Sequence, residues 1–436
     1  MKKFATLLSL LALAGCSWLG IGKDKQPLPG TRVSVLQLDK QLEVSPDIQE
    51  IPVRLPAPHK NEEWTQAGGN AQHNLHHVTM SAHPTIAWVK SIGSGNSSER
   101  RILSEPILVE NKLIALDSEG QVTALDAGSG QVLWQVTPKQ YAEDTDKFGG
   151  GLAYGEGKIF VTSPYARLIA LDAKNGKEVW NVAAPAPYRA PPSYSDGRVF
   201  AMTIDNQLTT NAAENGRQLW VNNGVGESAG LLGGGAPAVS GSTVVAPYSS
   251  GELIALDVVG GRTIWGDSLA GTTRGSQVGS FGDIHGSPVI DSDLVVTIGN
   301  GGVAAASDLT RGARKWDVSL GGTHTPWVAG DFVFLLTNNA ELVCLTREEG
   351  KIRWVQILPR YDDPEDTSTL TIWSGPVLAG DRLFITGSNG LLLALSPYDG
   401  KVLGKIALPE ETHLSPIAAN DTLYVLLDNG DVIALR

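Results

Sequence analysis

Apolar residues in this chain come as short runs closed by Gly, Asn or Asp, and the runs return in a fixed order. One succession is 150–154 (GGLAY), 157–161 (GKIFV), 168–171 (LIAL) and 178–180 (EVW). Another is 287–290 (SPVI), 294–298 (LVVTI), 302–306 (GVAAA) and 313–316 (ARKW). Runs of this length bounded by turn residues read as β-strands, and four in succession make one antiparallel sheet.

The last turn of each set carries a repeat. ALDAGSGQVLW at 124–134 returns as ALDAKNGKEVW at 170–180 and ALDVVGGRTIW at 255–265, with weaker copies ending at Trp220, Trp316, Trp354 and Gly404. The shared glycines, from Gly130 and Gly176 through Gly216, Gly261, Gly312 and Gly350 to Gly400, lie 38 to 51 residues apart. A period in the forties with four strands per unit predicts an all-β propeller, each unit one blade. Within the repeat, Asp126, Asp172, Asp257 and Asp308 are placed to accept a hydrogen bond from a backbone N–H two residues on. The glycine supplies a left-handed turn residue. Trp134, Trp180, Trp220, Trp265, Trp316 and Trp354 are expected as wedges between blades, each burying about 200 Å². The residue before the tryptophan is usually apolar (Leu133, Val179, Leu219, Ile264), so alternation predicts that both faces of the outer strand are covered.

Seven copies precede an eighth unit at 415–417, 423–425 and 432–436, where the chain stops one strand short. Residues 85–92 (TIAWVKSI) carry a tryptophan without preceding strands of their own. That N-terminal strand is expected to complete the C-terminal blade, closing an eight-bladed ring of four-stranded antiparallel blades and removing its free edges.

Composition narrows the function. Glycine accounts for 50 of 436 residues, in keeping with many tight turns. A net charge of −12 with no basic cluster excludes nucleic acid as a partner. Two cysteines, Cys16 and Cys344, build neither a disulfide framework nor a thiolate metal site. Cys344 occupies the small-residue position filled elsewhere by Ala170 and Ala255, so a core thiol is expected.

Cys16 has another explanation. Met1, Lys2 and Lys3, an apolar run at 4–12 and a Leu-Ala-Gly-Cys site at 13–16 resemble a bacterial lipoprotein signal, with 1–15 removed and Cys16 acylated. Ser17 after the cysteine resembles the outer-membrane sorting choice of such lipoproteins. Residues 16–60, broken by Pro27, Pro29, Pro46, Pro52, Pro56 and Pro58, read as lipidated cysteine plus flexible tether, although 36–44 alternates and is able to pair with a sheet edge. The propeller is expected over 61–436.

The A-x-D-x-x-x-G-x-x-x-W repeat resembles that of the pyrroloquinoline-quinone (PQQ) dehydrogenases and their cofactor-free relatives, and 63–70 (EWTQAGGN) looks like the entry segment of that superfamily. Joined to a lipoprotein signal, it resembles the BamB family, propeller lipoproteins of the outer-membrane β-barrel assembly machine. The resemblance implies a non-enzymatic, cofactor-free scaffold on the periplasmic side of the outer membrane, binding the periplasmic domains of a BamA-like protein through two loops. A Leu-Arg-Gly loop maps to 229–234, where Leu231 matches and Leu232 stands in place of Arg. An Asp-x-Asp loop maps to 283–288, where Asp283 matches and His285 replaces the second acid.

Two other readings follow from the same residues. A PQQ-dependent dehydrogenase with an atypical site rests on the repeat alone; the adjacent cysteines, calcium ligands and C-x-x-C-H that its relatives resemble one another in having are missing from this sequence. A periplasmic propeller binding peptide or glycan rests on Trp327 and Trp373, outside the repeat positions, with core packing the preferred reading of both. Gly226, Ser228 and Gly230 match a G-x-S-x-G elbow in the wrong context, a Gly-rich loop rather than a strand entering a helix. Asp362, Asp363, Glu365 and Asp366 read as a solvated loop, and His73, His76 and His77 as exposed. The long segments after Trp134, Trp220, Trp265 and Trp354 join outer to inner strands and so emerge on one face, the expected binding surface.

Overall fold

The computed structural model describes residues 42–139, 148–227, 230–270, 282–363 and 366–436. The signal at 1–15, Cys16, the tether up to 41, Ser228 of the G-x-S-x-G match and Glu365 lie outside them. The compact body runs from Glu43 to Arg436.

Eight four-stranded antiparallel sheets make the ring, and the described residues hold strands but no helix. Blades 1 to 7 span 107–136, 151–183, 193–223, 238–268, 289–318, 327–357 and 373–407. Blade 8 is built from Ile417–Ala419, Thr422–Leu426 and Asp431–Leu435, completed by Ile86–Ser91 from the other end of the chain. Thr85 and Arg436 exchange backbone hydrogen bonds of 2.7 and 2.9 Å at this closure. The second and third strands of each blade are almost wholly buried, because both faces pack on neighbouring blades.

The repeat sets the seams. Each outer-strand tryptophan lies over the repeat glycine of the next blade and donates its indole N–H to the carbonyl three residues before that glycine: Trp134 to Ala173 at 3.3 Å, Trp180 to Ala213 at 3.1 Å, Trp220 to Val258 at 3.0 Å, Trp265 to Leu309 and Trp316 to Arg347 at 2.7 Å, Trp354 to Pro397 at 3.0 Å. Trp88 of the closing strand repeats this on Ala127 at 3.3 Å. The glycine is needed twice over. At Gly350, φ is +65°, and a Cβ would stand 2.6 Å from the Trp316 ring. The turn carboxylates accept from the backbone at the second or third residue on, as at Asp172 from Lys174 (2.8 Å) and Asp126 from Ser129 (2.8 Å).

The outer strands depart from expectation. Leu133, Val179 and Ile264 are 48%, 48% and 44% exposed, so their faces are not covered. The cause is a β-bulge in each repeat. Ala124 pairs with Trp134 but Leu125 pairs with Val132, which leaves Leu133 out of register, and the same slip recurs at Val179, Leu219 and Ile264. A bulge cancels strict alternation, so the apolar residue before the tryptophan faces the rim.

Two segments outside the blades are more ordered than their sequence suggests. Residues 43–60, expected as tether, pack on blade 6 and its neighbour: Ile48 and Val53 are buried, Ser45 N–H donates to the Ile352 carbonyl at 2.8 Å, and Lys351 pairs with Asp47 at 2.5 Å. Residues 61–79 form a strap that visits the innermost part of every blade in turn. Asn61 bonds blade 8 at Asn420, Trp64 blade 1 at Leu108, Thr65 blade 2 at Tyr154 and Gln66 blade 3 at Tyr194. Ala71 bonds blade 4 at Val239, Gln72 blade 5 at Ile290, His76 blade 6 at Trp327, and Val78 blade 7 at Gly380. His73 and His77 are therefore buried (4% and 1% exposed) and His76 half-buried, contrary to the exposed positions expected of an irregular, polar segment. Their ring nitrogens meet carbonyls of Pro288 at 2.7 Å and Pro56 at 2.9 Å. Unpaired backbone of this length remains ordered because the inner strands supply its hydrogen bonds.

Candidate functional site

The strap and the residues that lead into the inner strands enclose an axial cup of about 160 Å³, with Trp64, Gly68 and His73 from the strap and Glu105, Leu232, His285, His324 and His413 from the blades among its lining. Burial pushes the Glu105 carboxyl up from its usual range. Burial takes His73 down to about 4 against the opposing bond to the Pro288 carbonyl, and takes His324 to about 4 with help from neighbouring His285. His73 keeps its second ring nitrogen, Nε2, buried without a partner. His413 is raised by its 2.7 Å bond to Asp428.

The two loops marked by sequence meet at one side of this cup. Asp283 is fully buried and forms a bidentate pair with Arg189 Nη2 at 2.8 and 3.1 Å, while its second oxygen accepts the Leu231 N–H at 3.2 Å. Arg189 Nε donates to the Gly233 carbonyl at 3.1 Å. His285 bridges the same loops, Nε2 lying 2.8 Å from the Leu232 carbonyl and Nδ1 3.1 Å from that of Thr323. The glycines of the loop make room for this. A Cβ on Gly234 would lie 2.4 Å from Arg189 Nε, and one on Gly235 would lie 2.7 Å from the Gly286 carbonyl.

Leu231, Leu232, Asp283 and His285 thus come together, but not as equals. Leu232 presents its side chain to solvent at 54% exposure, Leu231 and His285 are half-buried, and the Asp283 carboxylate is consumed inside the protein. Asp283 was expected at the contact itself; its burial and its bonds make it the internal anchor of the Leu231 loop instead. Sequence reading missed Arg189, which comes from the segment before blade 3, two loops away. Its one signal is a lone basic residue within an otherwise uncharged approach to an inner strand (184–193).

The remaining candidates resolve into framework. Trp327 stacks on Trp64 at 6.3 Å, and Trp373 donates to the Pro359 carbonyl at 2.8 Å; both are buried, as core packing requires. Cys344 is fully buried and its thiol is pushed up by desolvation. The acidic stretch after blade 6 is a hairpin, Tyr361–Asp363 with Asp366–Leu370, rather than a loop. The cup does not suit a quinone bearing three carboxylates: its lining holds no Lys or Arg and adds Glu105. Among the described residues no three His, Cys, Asp or Glu side chains are grouped to hold a metal ion.

Comparison with known proteins follows the same lines. The family described as Outer membrane protein assembly factor BamB matches residues 98–356 and 365–436. The chain is 25% identical over 358 residues to the outer membrane protein assembly factor BamB of Moranella endobia (strain PCIT), covering 81% of this chain and 90% of that one. In structure it resembles BamB from Moraxella catarrhalis, with a TM-score of 0.69 and 19% identity over 81% of this chain and all of the other. A europium-containing methanol dehydrogenase shares the fold at a TM-score of 0.68 and 16% identity, covering 84% and 90% of the two chains.

Proposed function

The chain belongs to the family of outer membrane protein assembly factor BamB, and on that premise we propose that it is a non-enzymatic scaffold of the outer-membrane β-barrel assembly machine. It is held on the periplasmic face of the outer membrane by acylated Cys16 and binds the periplasmic domains of a BamA-like protein. The observation that carries the contact is Leu232, an exposed leucine at the tip of a loop pinned from below by the buried Arg189–Asp283 pair. An apolar side chain on a rigid support loses little conformational freedom on binding, the property of an interface anchor. The substitutions at Leu232 and His285 suit such a contact re-tuned from a charged to an apolar one.

Affinity purification of the full-length chain from solubilised membranes tests this reading. It predicts co-recovery of a BamA-like subunit, lost when Cys16→Ser removes the lipid anchor and releases the protein from the membrane fraction. Recovery of the wild-type chain without any barrel-assembly subunit contradicts it.

A further inference from the structure

Seven of the eight seams are closed by a tryptophan and one is not. Position 404 is the tryptophan position of the seventh repeat, and it is glycine. Nothing in the backbone asks for glycine there. Its φ lies outside the left-handed region, and an added Cβ meets no atom within 4 Å. The slot has nonetheless kept the surroundings of an indole. In blade 6, Phe334 pairs across Cys344 with Trp354, the two rings 5.9 Å apart. In blade 7, Phe384 pairs across Ala394 with Gly404 in the same register, so a ring stands where its partner ring is missing. The space is a cleft of about 230 Å³ lined by Phe384, Leu392, Ala394, Leu403, Gly404 and Ile406. An engineered apolar cavity of about 150 Å³ suffices for benzene.

The far wall explains why the chain supplies no tryptophan of its own. The receiving turn of a blade joins its third and outer strands, and in blade 8 those strands come from opposite ends of the chain, so the turn with its glycine does not exist. Residues 82–85 stand there instead. Arg382 and Lys405 also line the cleft, and among the described residues neither is ion-paired, in a protein whose net charge is −12. The adjoining strand Val402–Ala407 is an open sheet edge exposed over nearly its whole length, with Val402 52% and Leu403 54% exposed. On the neighbouring blade the turn at 45–51 covers the start of the corresponding edge, with Ser45 bonded to the Ile352 backbone and Arg353 Nε donating to the Ile51 carbonyl.

We propose that the cleft between blades 7 and 8 is a docking site for a tryptophan side chain of a partner polypeptide, presented on an extended segment with an acidic residue beside it. The indole takes the place of the missing eighth wedge against Phe384, the segment runs along Val402–Ala407, and its carboxylate meets Arg382 and Lys405. Edge pairing supplies affinity and the slot supplies specificity. The site is independent of the BamA-like partnership proposed above.

Methyl NMR on the full chain tests it, with the capped peptide acetyl-Asp-Trp-Val-Thr-amide as the probe. Shifts are expected at the Ala394, Leu403 and Ile406 methyls, with at least tenfold weaker binding for the same peptide carrying Ala for Trp. Gly404→Trp, which fills the slot from within, is expected to fold and to abolish binding; Gly404→Leu serves if it does not fold. Lys405→Gln and the Asp→Asn peptide are each expected to weaken binding severalfold. Undiminished binding to both filled variants, shifts elsewhere on the ring, or no shift at millimolar peptide overturns the proposal. So does N-acetyltryptophanamide binding as tightly as the peptide, which would make the cleft a small-molecule site. Co-purification with the assembly machine is a separate readout, so the failure of either reading leaves the other standing.

Discussion

The seams between blades and the mouth of the axial cup are built on opposite principles. At the seams one solution is used seven times: an indole over a glycine, its N–H on the adjoining carbonyl, with distances between 2.7 and 3.3 Å. At the mouth each loop differs, and the interactions are few, polar and long-range in sequence: Arg189 with Asp283, and His285 with Leu232 and Thr323. Repetition stabilises because every copy does the same thing. What distinguishes this propeller from any other has to lie where repetition stops, at the mouth and at the one seam that lacks its wedge.

If that division is right, seam and mouth variants separate by their effects. The largest loss is expected at a seam. Trp354→Ala removes a buried ring (5% exposed) and a hydrogen bond, costing about 3–5 kcal/mol by chemical denaturation. Asp283→Ala should come close to it, although it lies at the mouth, because Arg189 is then left buried without its counter-charge, at about 3–5 kcal/mol. The double variant Arg189→Met with Asp283→Leu should recover much of that stability while partner binding stays low. A binding defect that disappears along with the stability defect would erase the distinction.

Acid should act next, through the strap. His73 is held neutral, its pKa taken from 6.5 to about 4, so between those values the unfolded chain binds more protons than the folded one. Its contribution is complete above pH 6.5 and fades as pH falls toward 4, by up to about 3 kcal/mol. His413 works the other way and above that window: Asp428 favours its charged form, so its stabilisation builds as pH falls toward 6.5 and is complete below it. Denaturation midpoints between pH 7 and 4.5 should fall for the wild type and fall less for His73→Leu.

How much of this was legible in the sequence follows from the kind of interaction. Blade number, strand order and the closing strand 86–91 were readable because turns and apolar runs act locally and recur. The wedge role of the tryptophans was readable for the same reason. The exposed bulge at Leu133, Val179 and Ile264 was not, because period-2 alternation carries no mark of a register slip. The strap at 61–79 was invisible because its hydrogen bonds go one by one to eight different blades and leave no periodicity. Asp283 was found by resemblance, but its partner Arg189 and its burial depend on how two loops 94 residues apart fold onto each other.

The smallest expected change in stability falls on the residue with the most to say about function. Leu232→Asp replaces an exposed side chain above an intact anchor, so the fold should lose no more than about 0.5 kcal/mol. Quantitative recovery of the BamA-like subunit with wild-type and Leu232→Asp chains, at equal amounts of folded protein in the membrane, tests the mouth directly. A drop of tenfold or more is the predicted result; equal recovery would contradict the assignment of partner binding to this loop.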